Sequence, residues 1–269
     1  MRALTTTGAP RRVRAIATAE LRLLVRNRTA MFTALALPLI TVAGLSAIGF
    51  GENGDLPLGA LVVTMLAGFT LLYVVYYNLV SAYVARREDL VLKRLRVGEL
   101  TDAEILAGTA LPSVVVAVTQ VVLTAVVAAL ALGLDMPANA LLVVVAVVGG
   151  VVMFVLLAAA STAFTRNVEM AQVSTLPVLF LCMGSLIFSG VVVPADSVPD
   201  AVQDVFQFVP LTPVLDLLQL GLTGRTADGD TVGFGASFSA AAFPLIIMGL
   251  WIVNGIAALR RWFRWEPRT

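Results

Sequence analysis

Long apolar runs alternate with short polar segments along this chain of 269 residues. A helix that crosses a bilayer needs roughly 20 mainly apolar residues. Six runs meet this requirement, and none of them contains Asp, Glu, Lys or Arg: 31–50, 58–84, 105–133, 140–164, 171–193 and 237–259. The pattern predicts an all-α membrane protein with six transmembrane helices in a single domain over 1–269. The first run is longer than a signal-peptide core, so we expect it to be retained as a span.

The segment before the first span has the pattern of an amphipathic helix over 11–28. Arg11, Arg22 and Arg26 lie on one side at helical spacing. The opposite, broad face is apolar and consists of Val13, Ile16, Ala17, Leu21, Leu23, Leu24 and Val25. Such a helix places its apolar face in the headgroup boundary and its arginines near anionic lipid. We therefore predict an N-terminal interfacial helix, with a disordered basic tail as the alternative.

A further pair of short helices is predicted between spans five and six, over 194–224. Ser197 and Asp200 have the spacing of a capping pair, and Pro199 falls in the first turn of the first helix. Pro210 then breaks that helix, and Thr212–Pro213 starts the second one. Gly221 and Gly224 end the second helix. Irregular backbone at membrane depth must be shielded by protein. The pattern indicates a short re-entrant helical hairpin on the outer side, with a soluble extracellular hairpin as the alternative.

The most highly charged part of the chain, "RREDLVLKRLRVGELTDAE", lies between spans two and three, from Arg86 to Glu104. Its helical periodicity predicts an amphipathic helix over 86–97, ended by Gly98. Thr101 and Glu104 then have the spacing of a capping box, which predicts where the next helix begins. We interpret the 86–97 helix as a docking element for a cytoplasmic partner, with a solvated loop as the alternative. The candidate docking residues are Arg86, Arg87, Glu88, Lys93 and Arg94.

Composition and charge support a membrane location and give the orientation. Only 13% of the residues are charged and the mean hydropathy is +0.95, whereas about 25% of residues are charged in soluble proteins. If the N-terminus is cytoplasmic, 17 of the 18 Lys and Arg residues fall on the cytoplasmic side, and Arg225 is the exception. Because short cytoplasmic loops are enriched in Lys and Arg, we predict a multi-pass protein of the cell membrane with both termini in the cytoplasm.

All four tyrosines lie in or near the end of span two: Tyr73, Tyr76, Tyr77 and Tyr83. At about 100° per residue they share one helical face with Phe69, while Asn78 points away. Aromatic side chains offer a large apolar area, and tyrosine adds a hydroxyl that needs a partner. This face is a candidate wall of a substrate cavity, formed by Phe69, Tyr73, Tyr76 and Tyr77, with Tyr83 as an interfacial anchor. Ordinary helix packing is the alternative.

Several function classes conflict with the sequence. Ion-coupled transporters place ionisable residues inside the bilayer, but the six runs contain none. The polar residues Asn78, Gln120, Gln172 and Asn254 are too scattered to line a channel. The chain has no histidine, and its one cysteine, Cys182, lies in an apolar run where a small buried side chain is expected. We therefore expect no enzyme activity, metal site or cofactor on this chain. It also lacks the GxxxxGK[ST] phosphate loop, so any ATP must be bound by another chain.

The order of these segments resembles the membrane subunits of ABC type-2 exporters of the type V fold, particularly the antibiotic and drug efflux permeases of actinobacteria. "AELRLLVRNRTAMFTALALPLI" is similar to the family's interfacial helix and first span, and "RREDLVLKRLRVGELTDAEILAG" to its coupling-helix region, with Glu88 at the common glutamate. "SGVVVPADSVPDAVQDVFQFVPLTPVLDLL" resembles the segment between spans five and six. Glu99 and Gln219 depart from the pattern, since many members have proline and arginine there.

The resemblance implies the permease subunit of an ATP-driven exporter. It implies that this subunit pairs with a second membrane subunit, as a homodimer or with a close homologue, and with two cytoplasmic ATPase subunits that bind ATP and Mg²⁺. The substrate would be a hydrophobic or amphipathic compound, such as an antibiotic, another drug or a lipid-like molecule. Membrane lipid is a further expected partner, and no nucleic acid is expected. A non-transporting scaffold, immunity or sensing subunit with the same fold is the alternative.

Overall fold

The computed structural model describes residues 56–90, 101–188, 198–226 and 229–263, together with Thr18, Ile40 and Gly44. Within these ranges the regular structure is helical, apart from a single bridge between Arg225 and Thr231. The helices are α1 Leu58–Glu88, α2 Asp102–Ala131, α3 Ala140–Ser161, α4 Val168–Phe188, α5 Asp200–Phe206, α6 Thr212–Thr223, α7 Phe234–Ala240 and α8 Ala242–Trp262.

Five of these helices, α1, α2, α3, α4 and α8, are long and apolar enough to cross a membrane. They confirm five of the six predicted spans. The last span begins at Ala242, later than predicted, because the chain turns at Ala241 between α7 and α8. The predicted first span over 31–50 and the interfacial helix over 11–28 lie outside the described residues, except for the helical residues Thr18, Ile40 and Gly44.

Helix α1 is the centre of the bundle. In the most apolar stretch of 18 residues of α1, 72% of the residues are buried. The corresponding share is 17–33% in the other four spans. It packs against α2, α3, α4 and α6. The other spans expose large apolar side chains such as Val122, Val148, Phe180 and Val253. Such an outer surface is favourable in lipid but would be costly in water, so the fold itself requires a bilayer or a partner subunit around it.

The region predicted as a re-entrant hairpin contains α5 and α6. Helix α6 is enclosed by α1, α3 and α8, and all its residues are buried except Asp216 and Thr223. Leu215 of α6 reaches Gly68 of α1, where an added Cβ would lie 3.3 Å from the leucine Cδ2. Since Gly68 is ten residues from the start of α1, the hairpin enters the bundle by about 15 Å at 1.5 Å per residue. Its depth in the bilayer remains a prediction.

The backbone between α5 and α6 is irregular, and its carbonyl groups find partners within the protein. The Thr212 hydroxyl donates to the Phe206 carbonyl oxygen at 2.6 Å. The Trp251 indole N–H, from α8, donates to the Phe208 carbonyl oxygen at 2.8 Å. An unpaired carbonyl in an apolar environment costs several kcal/mol. These two contacts therefore allow the chain to break between the two helices while it remains inside the bundle.

Two of the helix boundaries predicted for this hairpin need correction. Pro199 is the N-cap of α5 and not a residue of its first turn, and Ser197 lies outside the described residues. Gly224 ends α6 as predicted, with a φ of 70° that suits glycine. Gly221 does not end the helix. It lies inside α6, where a Cβ would be 2.8 Å from Val143 Cγ2 and 2.9 Å from the Val143 backbone nitrogen, so its role is close packing against α3.

We predict that Gly221→Ala destabilises the bundle by about 1–3 kcal/mol, the usual cost of an added methyl group in a packed core. The nearest obstacles include α3 backbone, which cannot move aside by changing a rotamer. Gly249→Ala in α8 is the matched control, because nothing lies within 4 Å of its added Cβ. Thermal unfolding in detergent measures both, and equal midpoints for the two variants would contradict the packing role of Gly221.

Candidate functional site

The C-terminal ends of α1, α3 and α8 and the N-terminal ends of α2 and α4 form one end of the bundle, which we call the basic end. The described residues there include Arg86, Arg87, Arg166, Arg260 and Arg261. The Tyr83 hydroxyl of α1 donates to the Leu106 carbonyl oxygen of α2 at 3.1 Å. The Tyr83 ring also meets Phe263, just after α8, edge to face. The basic end is therefore a packed structural unit and not a set of separate loops.

Arg87 is the most buried charged side chain of this unit, with 1% of its surface exposed. Its guanidinium donates to the carbonyl oxygens of Thr162 at 2.9 Å, Thr165 at 2.6 Å and Arg166 at 3.1 Å. These carbonyls follow the end of α3, where backbone acceptors have no partner within the helix. The partial negative charge of the helix C-terminus adds to the attraction. Arg87 therefore ties the end of α1 to the α3–α4 turn.

Arg87 is thus buried within the basic end, and its role in docking a cytoplasmic partner stays a prediction. Arg86 is half-buried and Glu88 is exposed, and both belong to the last turn of α1. The predicted helix over 86–97 therefore does not begin at Arg86. Helical hydrogen bonding continues to Asp89, and Leu90, with a φ of 58°, turns the chain. Lys93 and Arg94 lie outside the described residues.

The predicted start of the following helix is confirmed. The Glu104 backbone N–H donates to the Thr101 hydroxyl oxygen at 3.3 Å. The Glu104 carboxylate in turn accepts from the Thr101 backbone N–H at 2.7 Å. This is a complete capping box. It places the buried Glu104 in the first turn of α2 and fixes where the charged loop ends.

The structure separates the tyrosines that were predicted to share one face. Phe69 and Tyr73 stack with ring centroids 6.3 Å apart, and Tyr73 is 45% exposed. Tyr77 is half-buried. Tyr76 is completely buried, with its hydroxyl 3.1 Å from Ser161 Oγ and its ring against the edge of Phe154. We call Phe69, Tyr73 and Tyr77 the outer aromatic face of α1; Tyr76 belongs to the core.

A π-helical segment over Thr70–Tyr77 explains this difference. Its i→i+5 hydrogen bonding widens the turn, so successive side chains are rotated by less than the 100° of an α-helix. The rotation carries Tyr76 away from Tyr73. Asn78, which was predicted to point away from the aromatic face, is exposed. π-Segments often occur at functional sites, but their sequences carry no distinctive pattern.

Sequence reasoning missed two polar features of the interior. Thr70 in the π-segment donates to Gln120 Oε1 of α2 at 3.1 Å, a buried hydrogen bond between two spans. Asp216, assigned to the outer hairpin, is half-buried in α6, which is otherwise enclosed by protein. The run "VLDLLQLGL" could have indicated its position, because a single acid within an apolar helix implies a protein environment. Cys182 is buried in α4, as predicted.

The fold and the basic end define a multi-pass helical membrane domain with a charged, structured face at one end. In a comparison with family models, residues 11–222 match the ABC-2 type transporter family. The chain belongs to this family, which confirms the resemblance found in the sequence. Membrane domains of this family typically work with an ATPase partner. A comparison with curated proteins gives no match.

We predict that Arg87→Ala costs about 3 kcal/mol or more of stability, because it leaves several buried carbonyls without a charged donor. Arg87→Lys should recover only part of this loss, since the lysine ammonium cannot reproduce the planar set of N–H donors that the guanidinium directs at the carbonyl oxygens. Glu88→Ala, one residue further and exposed, should change stability by less than about 0.5 kcal/mol. Thermal unfolding of the three variants in detergent tests this order, and an unchanged midpoint for Arg87→Ala would contradict the tie between α1 and the α3–α4 turn.

Proposed function

We propose that this chain is the permease subunit of an ATP-driven exporter that moves a hydrophobic or amphipathic compound, such as an antibiotic, another drug or a lipid-like molecule, out of the cell. Membership of the ABC-2 type transporter family supports transport. The observation that carries the substrate class is the outer aromatic face of α1. The most buried of the five described spans keeps Tyr73 exposed beside Phe69 and Tyr77, and such a surface suits an apolar ligand with few polar groups.

In this proposal the basic end faces the cytoplasm and receives the ATPase. The positive-inside rule supports that orientation, since the described Arg residues gather there while Arg225 lies beyond α6. Glu88 and Arg86, at the exposed end of α1, together with Lys93 and Arg94, are the proposed contacts with the ATPase. Because Arg87 joins α1 to the α3–α4 turn, a force applied at Glu88 would act on α1 and α3 together. ATP and Mg²⁺ are held by the ATPase subunits.

We further propose that two copies of the chain assemble with two ATPase subunits. The predicted first and fifth spans would form the seam between the copies. Helix α4, the described part of the fifth span, exposes several large apolar side chains that a second copy could cover: Val173, Leu176, Phe180 and Leu181. A translocation path between two copies would be shielded from lipid, whereas one six-helix subunit would leave it open on one side.

The first test of this proposal is co-purification with the ATPase partner, followed by mass measurement and an ATPase assay. We expect a complex of two membrane chains and two ATPase chains. Glu88→Ala should retain this complex, or lose part of its yield, and should reduce the transport achieved per ATP. An active complex with a single membrane chain would overturn the assembly. Normal export with normal complex yield in Glu88→Ala would remove the coupling role.

The second test concerns the outer aromatic face and needs a substrate, found by screening an expressing strain for resistance to amphipathic antibiotics. Tyr73→Ala should raise the drug concentration for half-maximal ATPase stimulation about ten-fold, equivalent to about 1.4 kcal/mol of lost aromatic contact. Basal ATPase activity should remain. Tyr76→Phe is the matched control, because it removes only the buried hydroxyl beside Ser161; it should lower stability by about 1 kcal/mol without shifting the curve.

The outcomes of this test separate the two candidate functions. Equal ATPase stimulation curves for the wild type and Tyr73→Ala would show that the outer aromatic face does not bind substrate and serves only helix packing. If no compound in the screen is exported or stimulates the ATPase, the result favours the non-transporting scaffold, immunity or sensing subunit.

A further inference from the structure

A groove on the outer surface of the bundle has a chemistry that the transport function does not explain. It runs between α3 and α8, has a volume of about 640 Å³ and opens to the surroundings. Ligand sites in proteins commonly enclose about 300–1,000 Å³, so the groove is large enough for a molecule rather than a few waters. Its walls include Met153 and Leu157 of α3 and Leu250, Trp251 and Ala258 of α8.

Small residues of α8 create the space. Gly255 lets the two helices approach, since an added Cβ would lie 2.9 Å from Leu156 Cβ of α3. Ala257 and Ala258 follow where larger side chains would fill the gap, and both line the groove. The outer rim is accessible, with Leu250 53% and Trp262 50% exposed. The groove is therefore open along its length to whatever surrounds α8.

The two ends of the groove differ in polarity. At the basic end Arg261 and Trp262 line it, and both side chains are exposed. At the inner end the Trp251 indole N–H is already donated to the Phe208 carbonyl, so the ring presents only its apolar surface. This lining suits an occupant with an anionic group at one end and mainly hydrocarbon along the rest.

The length of the groove matches one leaflet of a bilayer. Trp251 and Arg261 are ten residues apart on α8, which corresponds to about 15 Å at 1.5 Å per residue. Half of a hydrocarbon core of about 30 Å is also about 15 Å. Arginine and tryptophan at the end of a span are the residues expected at headgroup level. Asn254, which also lines the groove, donates its side-chain amide to the Leu250 carbonyl oxygen of its own helix at 2.8 Å.

We propose that this groove binds an anionic phospholipid, with the phosphate at Arg261 and one acyl chain between α3 and α8. Charge complementarity favours a phospholipid over an uncharged substrate, and the side opening favours a molecule that arrives from the bilayer. Assignment to the cytoplasmic leaflet rests on the proposed orientation of the basic end; the binding itself does not. Anionic lipids are enriched in that leaflet, where each basic residue near the surface contributes about 1 kcal/mol of attraction.

The test measures lipid binding, so it is independent of whether the chain exports anything. The full-length chain in detergent is titrated with phosphatidylglycerol or phosphatidylcholine, and bound lipid is counted by native mass spectrometry. Arg261→Gln should reduce the preference for phosphatidylglycerol about five-fold, the ratio that corresponds to about 1 kcal/mol. Arg260→Gln is the matched control, since Arg260 is exposed at the same helix end but does not line the groove.

A second variant tests the apolar part of the site without changing its charge. Ala258→Leu should weaken the binding of both lipids, because the larger side chain occupies the groove, while the unfolding temperature shows that the fold is kept. If Arg261→Gln and Arg260→Gln lose the preference for phosphatidylglycerol equally, the preference arises from general surface charge and the proposal is overturned. Unchanged lipid binding in Ala258→Leu would also overturn it, as would cross-linking that places a second copy of the chain on this face of α8.

Discussion

The structure depends on the need to satisfy backbone polar groups where no water is present. Helix α6 and the irregular segment before it enter a bundle whose surroundings are apolar, so every exposed carbonyl there needs a protein partner. Thr212 of α6 itself and Trp251 of α8 provide two of these partners, and α6 is enclosed by α1, α3 and α8. The arrangement of the long helices follows from it: α1 must be central, and glycines must stand at the contacts that bring α3 to α6 and to α8.

The bundle has a closely packed interior and an apolar outer surface. The interior is closed by close contacts such as the one at Gly221 and by hydrogen bonds between spans, among them Thr70 with Gln120. The outside keeps large apolar side chains on α2, α3, α4 and α8. Candidate sites for ligands occur where the two surfaces meet. The outer aromatic face includes Tyr73 and Tyr77 of the π-helical segment of α1, and the α3–α8 groove lies next to the glycine contact at Gly255.

The five described spans could be predicted from the sequence because each is an uninterrupted apolar run, a signal that depends only on neighbouring residues. The capping box of Thr101 and Glu104 could be predicted for the same reason. The separation of Tyr76, in the core, from the exposed Tyr73 could not be predicted, since the π-helical segment of α1 changes the angle between residues without any sequence marker. The burial of Arg87 could not be foreseen either. Its partners are backbone carbonyls of the distant Thr162, Thr165 and Arg166, and no side-chain pattern reports them.

The reach of Arg87 limits how parts of this protein can be exchanged with those of related transporters. One side chain at the end of α1 holds a turn that begins 75 residues later. A chimera that receives a foreign loop after span two, but keeps its own turn between α3 and α4, would lose the fit between them if the incoming segment lacked this arginine. The end of α1 and the α3–α4 turn therefore have to be exchanged together, although they are far apart in the chain. Recombination points for hybrid transporters are therefore better placed before Arg87 and after Arg166 than between them.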